Sequence, residues 1–396
     1  MGNEDRIIIK GYLLSPGRRE GPGWLTLCGE LITGVGGEGD SPPGGRVFDF
    51  GDNLVCPGFI DLHVHGGSGC DVMDGTAAAL GTIARFHAGG GSTAFLGTTM
   101  SAEYGRLREV LAAAACYRSK PEQPGAILLG VHLEGPWLNP AKKGAHKPEE
   151  LKIPTAAAME EILSGPGVRH EMAMEIREQV KLVTLAPELP GSRELIAYLQ
   201  KNGTRTAAGH CAAGFEELSD AVAVGLSHAT HMYNAMGEFR HRDLGTAGIL
   251  LLMPEITVDL IADGIHVDPG AIKILLALKG AGKVALITDA TRAAGMPEGC
   301  YELGGRQIRV GSGAARLADG TLAGSILTMN RAVAYMVNTV GVPPVQAVRM
   351  ASLNPAVILG LEGLYGQLEA GKRASITVLD REFNVVATFV EGKKVI

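Results

Sequence analysis

Pro57-Gly58-Phe59-Ile60-Asp61-Leu62-His63-Val64-His65-Gly66-Gly67 is the first of a series of short aliphatic or β-branched runs. Working outward from it, runs of the same kind end near Thr98, Glu134, Pro187, His210, His231, Asp263 and Asp289. Between them fall helical patterns at residues 76–88, 104–117, 192–200, 215–224 and 271–278, roughly the length of crossovers. This alternation across residues 54–290 predicts parallel βα units. Eight strands is the number that closes a (β/α)8 barrel, and such barrels keep their chemistry at the C-terminal ends of the strands.

The flanks read differently. Residues 6–14, 24–35 and 46–50 at one end, and 374–380 and 385–390 at the other, read as antiparallel strands. They predict a small β-sandwich domain built from both termini, residues 1–56 and 364–396, beside a barrel of residues 57–363. A chain of 396 residues exceeds what one small core holds, which favours two domains. The glycine-rich, alternating stretch at 298–321 predicts a hairpin inserted after the last barrel strand, on the catalytic side.

Apolar residues at 46% and charged residues at 20% place the chain among folded globular proteins and away from disordered ones. A net charge of −6 gives no general attraction for polyanions, so nucleic acid and an anionic membrane surface are excluded as partners. Any phosphate must be held locally. The start, Met1-Gly2-Asn3-Glu4-Asp5-Arg6, shows no basic region followed by an apolar stretch, and Arg6 stands where a myristoylation signal needs Ser or Thr. Apolar runs such as 249–253 fall far short of the ~20 residues of a bilayer crossing. A cytoplasmic protein is the expectation. The six cysteines (Cys28, Cys56, Cys70, Cys116, Cys211, Cys300) form no Cys-x-x-Cys pair, which fits thiols in a reducing compartment.

Two glycine motifs are decoys. Gly34-Val35-Gly36-Gly37-Glu38-Gly39 matches a dinucleotide fingerprint, but Asp40-Ser41-Pro42-Pro43 follows where the phosphate-binding helix would begin. Gly366-Gln367-Leu368-Glu369-Ala370-Gly371-Lys372 resembles a P-loop until Arg373 replaces the hydroxyl residue that holds magnesium.

The histidines carry more. His63 and His65 lie two apart on a strand, so their side chains share one face and can reach one metal. Glu134, His210, His231 and Asp289 end the third, fifth, sixth and eighth strands, and imidazoles with carboxylates suit zinc or ferrous iron. A lone histidine is more often a hydrogen-bonded core residue, but six such groups at strand ends reverse that reading. His132 reads as a packed or supporting residue, His87, His170 and His228 as structural or exposed, and Cys211 as core. Glu188 reads equally as a ligand support or a loop anchor.

These residues resemble the N-acetylglucosamine-6-phosphate deacetylases, amidohydrolases with a TIM-like barrel, along nearly the whole chain. The motifs are the opening stretch, His132-Leu133-Glu134-Gly135-Pro136-Trp137, Thr230-His231-Met232-Tyr233-Asn234-Ala235, Asp263-Gly264-Ile265-His266, Thr288-Asp289-Ala290 and Asp319-Gly320-Thr321-Leu322-Ala323-Gly324. The resemblance implies that Glu134, His210 and His231 hold a principal metal and that Asp289 is both the catalytic carboxylate and a metal ligand. It implies a second metal on His63, His65 and Glu134 in members that keep both histidines, giving one or two ions per chain. It further implies substrate contacts from Ala145, His146, Asn234, Ala235, Arg242, Asp263, His266, Leu322, Ala323 and Gly324. Arg242 is expected at the phosphate, across the interface of a homodimer.

Cys211-Ala212-Ala213 and Ser375 depart from the family pattern and remove no expected ligand, and the first bears on packing around the metal and so on its identity and affinity. The substrate implied is N-acetylglucosamine 6-phosphate. The galactosamine epimer, another amidohydrolase reaction, a glycosidase using Glu134 and Asp289, and a catalytically silent scaffold are the alternatives. A glycosidase would leave the histidines without a purpose.

Overall fold

The structure, a computed structural model, describes residues 6–18, 20–120, 125–165 and 168–396. Residues 1–5, most of the stretch in which no leader was read, lie outside the described residues. The chain opens with β1 (Arg6–Leu13), β2 (Gly21–Cys28), β3 (Leu31–Gly37) and β4 (Arg46–Pro57). Next comes β5 (Phe59–Val64), followed by a small turn of β6 (Gly66–Gly67) and β7 (Cys70–Asp71). The other barrel strands are β8 (Ser92–Thr99), β9 (Ile127–Glu134), β10 (Val180–Leu185), β11 (Arg205–Ala208), β12 (His228–Ala229), β13 (Thr257–Ile261) and β14 (Val284–Ile287).

Strands β5 and β8–β14 form one eight-stranded parallel sheet in sequence order. Its two edges meet where Asp289 N donates to His63 O (2.9 Å) and His65 N to Ala290 O (2.9 Å). The seam that closes the barrel thus runs through the backbone of three expected site residues.

The expected helices are present as α1 (Ala77–Gly89), α2 (Tyr104–Arg118), α5 (Ser192–Lys201), α6 (Phe215–Ala223) and α8 (Pro269–Lys279). The Thr76 hydroxyl caps α1 through Ala79 N. Asp268 caps α8, with Pro269 in its first turn where no amide hydrogen bond is lost. Between them come α3 (Ala156–Ser164), α4 (His170–Gln179) and α7 (Gly245–Leu252), and after β14 α9 (Met329–Tyr335), α10 (Pro344–Ala351) and α11 (Leu353–Leu359). None of the described helices is long and apolar enough to cross a membrane.

Residues 298–321 form a three-stranded antiparallel sheet, β15 (Gly299–Leu303), β16 (Arg306–Gly311) and β17 (Ala314–Arg316). Leu303, Ile308, Val310 and Leu317 pack with Met100, Ala145 and Ala323, so this insertion sits over the C-terminal ends of the strands as expected.

The termini depart from expectation in three ways. Residues 24–35 are the hairpin β2–β3, broken at Gly29, whose φ of 55° is the left-handed conformation that glycine adopts at no steric cost. β1 pairs with β4 in parallel, not antiparallel, because the chain crosses over through the β2–β3 hairpin before it returns. In place of a sandwich of two sheets, β1–β4 join β18 (Ile376–Leu379), β19 (Val385–Val390) and β20 (Lys393–Lys394) in one seven-stranded sheet. That sheet curls until β3 meets the segment before β18, with Ile32 N donating to Lys372 O (2.8 Å) and Ala374 N to Glu30 O. Strand twist lets one sheet enclose its own core of Ile9, Leu25, Leu27, Ile376 and Phe389.

Both decoys have structural occupations. A Cβ at Gly36 would lie 2.3 Å from the Trp24 indole, so this glycine admits the ring. Lys372 Nζ is bound to Glu362 O (2.5 Å) and Gln367 Oε1 (3.1 Å).

Candidate functional site

Glu134 is the last residue of β9, and its carboxylate is buried between two pairs of histidines. Oε1 lies 3.1 Å from His210 Nε2 and 3.0 Å from His231 Nε2. Oε2 lies 3.2 Å from His65 Nε2 and 3.5 Å from His63 Nε2. Within each pair the two Nε2 atoms are close, 3.2 Å for His63 and His65 and 3.1 Å for His210 and His231. Asp289 Oδ1 completes the group at 3.3 Å from His65 Nε2 and 3.5 Å from His63 Nε2.

This packing suits cations better than hydrogen bonds. Two nitrogens bound at about 2.0–2.1 Å to one tetrahedral ion stand about 3.4 Å apart, close to the spacings here. His210 Nδ1 lies 2.8 Å from the Lys142 carbonyl, an acceptor, so the ring proton sits on Nδ1 and the Nε2 lone pair is free to bind a metal. Asp289 Oδ1 is buried with no hydrogen-bond donor. Two buried triads result that could hold a metal ion, Glu134–His210–His231 and His63–His65–Glu134. The residues present fit a divalent metal.

The electrostatics agree. Burial works against a charged Glu134, yet the charge of His63 and the nearby rings of His146, His210 and His231 hold its carboxyl well below the usual range. Burial likewise opposes ionisation of Asp289 and is outweighed by His63 and His65. Burial opposes protonation of His65, but Asp289 and Glu134 push it up to about 10. Two buried carboxylates demand positive charge here, from imidazolium or from a metal.

His210, His231 and Asp289 do not stand on regular strand. Strands β11, β12 and β14 end at Ala208, Ala229 and Ile287, and the three residues follow in left-handed backbone conformations, φ 49°, 33° and 51°. Such conformations cost about 1–3 kcal/mol each and collect at functional sites. Strand periodicity therefore does not aim these side chains. Cys211, expected to face away from His210 as a strand neighbour, is core for a different reason. The Glu188 carboxylate pins the turn by accepting from Ala212 N (2.5 Å) and Asn139 Nδ2 (2.8 Å), so Glu188 is a loop anchor. Burial pushes the Cys211 thiol up and keeps it neutral.

A cavity of about 370 Å³ opens above the histidines. Ala145, His146, Asn234, Ala235, His266, Leu322 and Gly324 line it, as does Asp289. Asp263 and Ala323 stand behind the lining. Asp263 Oδ2 accepts from His266 Nδ1 (2.7 Å) and so orients that ring, and Ala323 is buried. Arg242 is exposed on the Arg240–Asp243 turn and does not line the cavity of its own chain. Lys142, Lys143, Met100 and Thr321 line it as well, and sequence reading missed them. The adjacent cations in Lys142-Lys143-Gly144-Ala145-His146 were the available signal for the first two.

The remaining histidines sort as expected. His132 touches Thr98 Oγ1 (3.3 Å) and Thr184 Oγ1 (2.7 Å), packed edge-on under His63. His228 pairs with Asp259 (2.9 Å), His87 contacts Gly66 O (3.0 Å), and His170 is exposed.

Comparison with known proteins follows the same line. Residues 54–395 match the model of the amidohydrolase family. The N-acetylglucosamine-6-phosphate deacetylase of Vibrio furnissii is 40% identical over 86% of this chain and 82% of its own. The N-acetylgalactosamine-6-phosphate deacetylase of Escherichia coli O157:H7 is 37% identical over 86% and 87%. A solved structure of a Mycobacterium smegmatis N-acetyl-D-glucosamine-6-phosphate deacetylase variant, in complex with N-acetyl-D-glucosamine-6-phosphate, superposes with a TM-score of 0.90 at 32% identity. It covers 99% of this chain and 100% of that one.

Proposed function

This chain belongs to the amidohydrolase family and is an amide-hydrolysing enzyme of the N-acetylglucosamine-6-phosphate deacetylase type, and from that premise we propose how it acts. Its reaction is hydrolysis of the acetamide of N-acetyl-D-glucosamine 6-phosphate to D-glucosamine 6-phosphate and acetate, a step of amino-sugar catabolism. One observation carries this reading: each Glu134 oxygen faces a different pair of imidazole Nε2 atoms, with the donor-free Asp289 Oδ1 beside one pair.

An amide is a poor electrophile with a poor leaving group, so its hydrolysis needs an activated water, a polarised carbonyl and a proton for the nitrogen. Glu134, His210 and His231 would hold one divalent ion, zinc or ferrous iron by the chemistry of the donors, and His63, His65 and Glu134 a second. Such an ion supplies Lewis acidity, which polarises a carbonyl and lowers the pKa of water from 15.7 to about 7. Asp289 accepts the proton of the attacking water and returns it to the departing amine. His146 hydrogen-bonds the acetyl oxygen as charge grows there, a role in which one donor is worth about 3 kcal/mol. Asn234, Ala235, His266 and the Leu322–Gly324 turn surround the sugar, with Asp263 holding His266 in place.

The phosphate falls to Arg242, whose planar fork matches phosphate oxygens. Because Arg242 is exposed and does not line the cavity of its own chain, it would act in a partner's, in a homodimer. Exposed Phe239, Leu244 and Leu252, within ten residues of it in the chain, would supply an apolar surface for that contact. We place the enzyme in the cytoplasm, in keeping with cysteines that form no Cys-x-x-Cys pair, and divide it into residues 1–56 with 364–396 and residues 57–363.

The Escherichia coli relative favours one second reading, the galactosamine epimer. Acetate release from both epimeric 6-phosphates, before and after chelation and after restoring Zn2+ or Fe2+, tests both. Chelation is expected to abolish turnover and metal to restore it. Full activity without metal removes the metal from the reaction, and a preference for the galactosamine epimer removes the first substrate.

A further inference from the structure

Two histidines flank Glu134 with opposite surroundings at their far nitrogens. His210 Nδ1 faces a carbonyl, that of Lys142, at 2.8 Å. His146 Nδ1 faces a donor: the backbone N–H of Ser101 points at it from 3.1 Å, and the Ser101 hydroxyl lies 2.8 Å away. A backbone amide can only donate. A proton on His146 Nδ1 would set two N–H groups against each other in a buried pocket, at the cost of leaving both unpaired. Nδ1 therefore carries its lone pair, and the neutral ring must carry its proton on Nε2.

Nε2 is the atom of His146 that faces the centre, 3.4 Å from Glu134 Oε2. Both residues are buried, His146 to 2% exposure and Ser101 to 6%. A Cβ at Gly135, the residue after Glu134, would lie 2.3 Å from the Ser101 hydroxyl, so glycine there leaves the space this hydroxyl occupies.

We infer that Ser101 fixes His146 as the Nε2–H tautomer, which makes His146 a hydrogen-bond donor at the scissile carbonyl and bars it from serving as a metal ligand. The inference deepens the deacetylase reading and rests on it for the carbonyl. Ser101 is a positioning residue, acting only through His146. A backbone carbonyl behind His210 and a backbone amide behind His146 thus assign opposite tasks to two chemically identical rings. In the sequence the two backbone partners lie 68 and 45 residues from their histidines.

The test is the tautomer itself, read by two-bond 1H–15N correlation on protein labelled at histidine side-chain nitrogens, metal-free and zinc-loaded. His146 is assigned by the signals missing from His146→Gln. The expected result is a protonated Nε2 and a bare Nδ1 in both states, with His146→Gln keeping the metal content of the wild type. A protonated Nδ1, or loss of metal in His146→Gln, overturns the inference. Ser101→Ala, which keeps the amide but loses the hydroxyl, is expected to lower kcat about 3- to 10-fold, the value of one neutral hydrogen bond, with KM within about twofold. An unchanged kcat overturns the positioning role of the hydroxyl. Wild-type acetate release in the same preparation reads the premise separately. Turnover with an Nδ1–H ring overturns this inference alone, whereas an Nε2–H ring without turnover overturns the deacetylase reading.

Discussion

Asp289 is held in a left-handed conformation by two backbone contacts, its N–H to His63 O (2.9 Å) and its carbonyl from Ser325 N (2.7 Å). A Cβ at Gly324 would reach to 2.9 Å of that carbonyl, so glycine is required beside it. Strain held this firmly presents Oδ1 to the histidines without a competing donor. Asp289→Asn preserves the shape and removes the basicity. It is expected to lower kcat by about 10²–10⁴-fold, the usual worth of general acid–base catalysis, with KM changed little. Steady-state kinetics on N-acetylglucosamine 6-phosphate measure this, and an Asn variant with near-normal kcat would assign the proton transfers elsewhere.

At the scale of elements, the first strand and its turn carry two distinct devices. β5 and the residue after it deliver His63 and His65 to one side of Glu134, while the fifth and sixth strands deliver His210 and His231 to the other. The double variant His63→Gln with His65→Asn should lower bound metal from near two to near one per chain and leave the His210–His231 site filled. Metal analysis decides, and unchanged stoichiometry would show that the first-strand pair binds none.

The turn after β5 is tied to α1 by His87, whose buried ring contacts Gly66 O. Burial lowers this imidazole to about 4 from the usual 6.5 or so. Between those values the unfolded chain binds more protons than the folded one. The stabilisation is therefore complete above about pH 6.5 and is lost as pH falls through about 4, a span of about 3 kcal/mol. In His87→Gln, denaturant midpoints should fall less steeply from pH 6.5 to 4 than in the wild type. Equal slopes would mean that His87 does not titrate with folding.

For the whole molecule the phosphate contact is the open joint. The cavity of one chain is lined by His65, Glu134, His210, His231, Asp289, Lys142 and Lys143, but not by Arg242. Arg242→Ala removes a charge-assisted contact and should cost about 1.5–3 kcal/mol of phosphate affinity. The ratio of kcat/KM for phosphorylated over unphosphorylated sugar is expected to shrink accordingly. In the same design, Leu252→Glu should break the dimer and lower that ratio with Arg242 intact. Sedimentation with kinetics reads both effects. A monomer that keeps the full phosphate preference would place Arg242 outside the site and leave the phosphate to the two lysines.

The sequence by itself determined the barrel, because strand length, helix length and their alternation are local properties of the chain. It also placed His63 and His65 on one face by period-2 spacing and Glu134 at the end of the third strand. It could not determine how β1 and β4 run, because a strand's composition does not name its partner or direction. Nor could it give the aim of His210, His231 and Asp289, which depends on positive φ angles imposed by contacts from distant loops. The tautomers of His210 and His146 are of the same kind. Each is set by one backbone group that only the closed barrel brings within hydrogen-bonding distance, and a hydrogen bond across tens of residues leaves no periodic trace in the chain.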